Sequence, residues 1–148
     1  MSRAIARKAA MQMIYEQTAG GGGGEDTLQL AYDEMRQEGL SPIQKDDPGV
    51  AERAWIDRVV HGVLDHREEI DREIARYSTW PLERMALVDL TILRMAVWEL
   101  RYANDPDVPG KVAIAAAVEM AKVYSEPDSG RFVNGILGSI FRSAEAET

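Results

Sequence analysis

The chain has 148 residues, 45% of them apolar and 28% charged, which suits one compact domain able to bury a core without staples. It contains no cysteine, which excludes a disulfide framework, a thiolate zinc site and a cysteine nucleophile. The net charge of −8 argues against a surface that holds nucleic acid everywhere. That charge is unevenly placed: in the first 17 residues Arg3, Arg7 and Lys8 meet only Glu16, a net +2, and the remainder carries −10. A basic arm on an acidic body is compatible with a local RNA contact, while charge alone favours a solvated helix end.

In chain order, residues 3–18 read as an amphipathic helix, with Ala6, Ala10, Met13 and Ile14 at three- and four-residue spacing. The run Gly20 to Gly24 costs too much backbone entropy to continue it, and it lacks the Gly-Lys-Ser/Thr ending of a phosphate-binding loop. Asp26-Thr27 caps a predicted second helix at about 26–38, ended by Gly39, and Pro42 and Asp46-Asp47-Pro48-Gly49 form a loop. A third helix at about 50–66 buries Trp55, Val59, Val60 and Val63. A fourth at about 67–77 has Ile70, Ile74 and Tyr77 as its apolar face.

Pro81 suits a first helical turn, so 81–101 is predicted as one helix, apolar nearly all round and therefore central. Pro109 opens the next, about 110–124, whose dense alanines let a neighbour come close. Pro127-Asp128-Ser129 restarts the chain, and Phe132 to Phe141 mark a last helix, with a frayed tail expected from Ser143. No strand-like alternation occurs, so the fold class is all-α. No apolar stretch approaches the roughly 20 residues of a membrane span, and no signal-peptide core follows the basic N-terminus. The expectation is a cytosolic protein with no membrane contact.

Catalytic and metal chemistry find no support. His61 and His66, five residues apart, sit about 140° from each other on a helix and cannot share a metal. No nucleophile elbow or dinucleotide-binding glycine pattern occurs. Glu68, Glu69, Asp71 and Glu73, interleaved with Arg67 and Arg72, read as a solvated helix face. Arg94, inside the most apolar helix, reads as a buried cation paired with an acidic neighbour such as Glu99 or Asp89. No enzyme activity, cofactor or metal is expected.

Four stretches carry a resemblance. Pro109 to Lys122 resembles the penultimate helix of the NusB antitermination family, and Phe132-Val133-Asn134-Gly135-Ile136-Leu137 resembles its Phe-Val-Asn-Gly-hydrophobic-Leu signature. Asp89-Leu90-Thr91-Ile92-Leu93-Arg94, followed by Glu99-Leu100, is similar to its central helix, and Ala6-Arg7 through Ile14-Tyr15 to its first helix. The resemblance implies about seven helices in two small helical subdomains, about 1–66 and 67–142.

It also implies a transcription antitermination factor, acting on ribosomal RNA operons within the elongation complex. Such a factor pairs with NusE, a small-subunit ribosomal protein, to bind single-stranded boxA RNA. By the same resemblance Arg3, Arg7, Lys8, Asp128, Ser129, Arg131 and Phe132 lie at the RNA, and Tyr15, Tyr77 and Asp89 at NusE. For Phe132 core packing, and for Asp128 and Ser129 helix capping, stand beside those roles.

Two departures from the family pattern stand out. Ala4 and Ile5 replace arginines common in the arm, and Ala115-Ala116 replaces Asn-Glu. The alternatives are a NusB-like interaction module without independent RNA binding, and an RNA-methyltransferase accessory domain. A chain of 148 residues is expected to disfavour the latter. A homodimer stays open.

Overall fold

The computed structural model describes residues 3–20 and 48–146. The predicted helix at about 26–38 lies outside them. Among the described residues there are six α-helices, one 3-10 turn and no strand. The chain divides into two compact units, Met1–His61 and Gly62–Thr148.

In the first unit, helix α1 spans Arg3–Thr18, buries Ala6, Ala9, Ala10, Met11, Met13 and Ile14, and leaves Tyr15 exposed. Small and unbranched side chains keep the backbone helical at low entropic cost. The Thr18 hydroxyl donates to the Ile14 carbonyl (2.9 Å), and Gly20 follows at φ +90°, a conformation that glycine adopts without strain. Helix α2 spans Pro48–Asp65, of which the part up to His61 belongs to this unit, where Trp55, Ile56, Val59 and Val60 are buried.

The second unit is built around helix α4 (Leu87–Arg101), in which every residue from Asp89 to Trp98 is buried. Three neighbours cover it: α3 (Arg67–Tyr77), α5 (Gly110–Tyr124) and α6 (Ser129–Ala146). Helix α3 contributes Ile70 and Ile74, with Glu68 and Glu69 in its first turn and Arg76 in its last, as the helix dipole favours. Helices α5 and α6 pack along each other; α5 buries Ala113, Ala117 and Ala121, and α6 buries Val133, Ile136, Leu137 and Ile140. Gly62 admits Trp98 so closely that a Cβ there would lie 2.0 Å from the indole Nε1.

Four sequence expectations change. The predicted helix 81–101 is interrupted: Leu82–Arg84 is a 3-10 turn, Met85 and Ala86 are extended (ψ 145° and 135°), and α4 begins at Leu87. Residues 82–87 contain no helix breaker, so the interruption is a tertiary choice, and it leaves Met85 and Ala86 lining a cavity. The last helix runs on to Ala146 rather than fraying from Ser143.

Arg94 pairs with Asp71 of α3, not with Glu99 or Asp89: its Nε and Nη2 donate to the two carboxylate oxygens at 2.8 and 2.9 Å. Residues five apart on one helix lie about 140° around it, whereas α3 runs alongside α4 and presents Asp71 directly. Glu73 likewise accepts from Arg101. Two carboxylates expected on a solvated face thus clamp α3 to α4. Of the histidines, His61 Nδ1 lies 2.9 Å from the Asp57 carbonyl, and the His66 ring stacks on Tyr102 at 4.1 Å between centroids.

Candidate functional site

In the first unit the two N-terminal arginines converge on one indole. The Arg3 guanidinium lies 4.5 Å and that of Arg7 5.7 Å from the Trp55 ring centroid, a cation–π arrangement. Arg7 is only 6% exposed, while Arg3 and Lys8 are half-buried. The structure therefore packs this cationic helix start against α2, with the Arg7 charge turned inward.

In the second unit Asp128, Ser129 and Phe132 come together on a cavity of about 270 Å³ at the start of α6. Asp89 of α4 lines the same cavity. Its carboxylate is fully engaged: Ser125 Oγ donates to Oδ1 (2.6 Å) and Ser129 Oγ to Oδ2 (3.0 Å). Ser129 Oγ also accepts from the Glu126 N–H at 3.2 Å, so one hydroxyl ties the α5–α6 turn to α4. Asp89 is 8% and Ser129 4% exposed, which makes this a buried polar clasp that fixes where α6 begins. The Asp128 carbonyl accepts the Phe132 N–H (3.2 Å), and Phe132 itself is half-buried, its ring shared between cavity and interior.

The sequence reading missed the opposite wall. Trp80, Arg84 and Met85 line the cavity from the segment before α4, with Glu126 on the α6 side. Trp80 is 56% exposed, and its backbone is held by Ser78, whose Oγ accepts the Trp80 N–H (3.0 Å) and donates to the Trp80 carbonyl (2.8 Å). A signal existed: Ser78-Thr79-Trp80-Pro81 places a tryptophan directly before a proline, where the backbone is extended rather than helical. Of the remaining expected residues, Arg131 is exposed on α6, Tyr15 is 38% exposed on α1, and Tyr77 is half-buried at the end of α3. Among the described residues no cluster of His, Asp or Glu is placed to hold a metal ion, and no helix is long and apolar enough to cross a membrane.

Fold and site together define an all-helical protein with a cavity lined by aromatic, cationic and acidic groups at the start of α6. The chain belongs to the NusB family, whose family model matches residues 4–142. It is 44% identical over 143 residues to the transcription antitermination protein NusB of Symbiobacterium thermophilum, covering 96% of this chain and 90% of that protein. A solved T. maritima NusB structure superposes with a TM-score of 0.72 at 29% identity, over 100% of this chain and 99% of that one. The fold is also that of NusB in a solved complex of the antitermination factors NusB and NusE with double-stranded RNA. There the TM-score is 0.69 at 24% identity, over 95% of this chain and 96% of that one.

Proposed function

We propose that this protein is a transcription antitermination factor that binds boxA RNA jointly with NusE in the elongation complex and supports processive ribosomal RNA transcription. The observation that carries the reading is the cavity at the start of α6. Asp128, Ser129 and Phe132, named from the family resemblance, share it with Asp89 on a prearranged framework. Unpaired RNA is recognised by stacking on aromatic or arginine planes and by hydrogen bonds to exposed base edges, and both kinds of group are present there. A protein so engaged works beside RNA polymerase in the cytosol.

With a net charge of −8 and Arg7 packed on Trp55, the chain alone binds RNA weakly, and NusE completes the grip. The test is fluorescence anisotropy with labelled single-stranded boxA RNA, with and without NusE. Affinity rises well above that of either protein alone; no gain on adding NusE removes the proposal. Competition with double-stranded RNA then shows which form is preferred.

A second reading, a NusB-like interaction module without RNA binding of its own, is favoured by the burial of Arg7. Replacing Arg3 and Arg7 together by Ala separates the two. Unchanged RNA binding by a correctly folded heterodimer favours the second reading, and weakened binding favours the first.

A further inference from the structure

The antitermination reading leaves Trp80 and Arg84 without a task, and the structure leaves both unused. Of the three tryptophans, Trp55 and Trp98 are 8% and 4% exposed, whereas Trp80 stands 56% exposed at the cavity. Its backbone is locked by both bonds to Ser78, so the indole is offered on a prearranged turn, which lowers the entropic cost of a contact. Arg84, four residues on, lines the same cavity, and its guanidinium has no ion pair or hydrogen bond among the described residues. Phe132 adds a third flat surface. At about 270 Å³ the space lies just below the ~300–1,000 Å³ of drug-sized sites, which suits a single planar ring system.

The charges select among planar ligands. Glu126 and Asp128 also line the cavity, and neither carboxylate has a partner among the described residues. Asp89, by contrast, already accepts two serine hydroxyls. Carboxylates repel phosphate but accept hydrogen bonds from the exocyclic amino group of a base, as acidic side chains do from cytosine N4.

We propose that this cavity takes one unpaired, amino-bearing nucleobase of RNA. The base stacks on Trp80 and Arg84 with Phe132 behind it, and its amino group donates to Glu126 or Asp128. The proposal rests on the RNA-binding reading above and adds to it a stacking pair and a base preference.

The experiment uses the full chain with NusE, following tryptophan emission and binding with short oligo(A), oligo(C) and oligo(U). The contribution of Trp80 is read as the difference between wild type and Trp80→Phe. Oligo(A) and oligo(C) quench that contribution and bind more tightly than oligo(U). Trp80→Phe retains affinity, because a ring remains to stack on. Trp80→Ala weakens binding by roughly 5- to 150-fold, the loss expected for one stacked base. Circular dichroism and NusE binding show that both variants fold, as the exposure of the side chain predicts. If Trp80→Ala binds like wild type, or oligo(U) binds as tightly as the others, the base pocket is overturned while RNA binding stands. If Trp80 emission responds to NusE and not to RNA, the cavity belongs to the protein partner and the proposal is equally overturned. Absence of RNA binding by the wild-type heterodimer removes both this proposal and the function it rests on.

Discussion

Each oxygen of the Asp89 carboxylate takes one serine hydroxyl, and Ser129 is the only one of the pair that also receives a backbone N–H. Replacing Ser129 by Ala therefore leaves a buried carboxylate oxygen and the Glu126 N–H without their partner at once. The expected loss is about 1–3 kcal/mol, read as a lower urea midpoint at an unchanged slope. An unaltered midpoint would mean that the clasp does not persist in solution. The Arg94–Asp71 pair predicts an asymmetry. Arg94 is 5% and Asp71 23% exposed at the side chain, and Arg94 Nη1 is buried without a partner among the described residues. Asp71→Asn strands a buried guanidinium and costs on the order of 3 kcal/mol. Arg94→Met leaves a carboxylate that water can reach and supplies apolar volume, so it costs less. Chemical denaturation of both variants gives that order, and the reverse order rejects the account.

The segment between α3 and α4 is where local and tertiary preferences part, and Ala86 reports on it. Its φ of −58° is already that of proline, Met85 before it is extended, and among the described residues no hydrogen bond involves the Ala86 N–H. Ala86→Pro is therefore expected to stabilise by about 0.4–1 kcal/mol, through a less flexible unfolded chain. In an unbroken helix 81–101 the same change costs about 3 kcal/mol, so one thermal melt decides between the two. Gly62→Ala probes the close approach of Gly62 to Trp98 within the second unit. Its Cβ would meet the Trp98 indole at 2.0 Å, and forcing the ring aside costs about 1–3 kcal/mol or more.

Helix α3 shows how much was readable at this scale. Its bounds follow from periodicity and charge alone, yet the work done by Asp71 and Glu73 does not, because a surface pattern looks the same whether the opposite charge comes from solvent or from a neighbouring helix. The Arg84 and Met85 walls of the cavity were hidden for the same kind of reason: the composition of 82–87 permits helix, and only packing around Met85 and Ala86 interrupts it.

For the molecule as a whole, a net charge of −8 limits the share of phosphate contacts in RNA affinity. Three neutralised phosphates on a single strand give a slope of about −2 for log K against log salt. With Arg7 turned onto Trp55, the chain alone is expected to fall no steeper than that. Anisotropy titrations over a salt series measure it, and a markedly steeper slope would reveal a phosphate-binding surface beyond the N-terminal helix.

Apolar spacing, alanine density and proline placement determine by themselves that the chain is helical and where five of the described helices lie, because those signals act within a few residues along one backbone. The Phe132 signature likewise marks the start of α6 and the family. What local sequence leaves open is which groups meet: that Asp71 and not Asp89 holds Arg94, that two serines close on Asp89, and that Trp80 and Arg84 line one cavity with Phe132. Those pairings join residues 23 to about 50 positions apart, and only the packed arrangement of α3, α4, α5 and α6 brings them within reach.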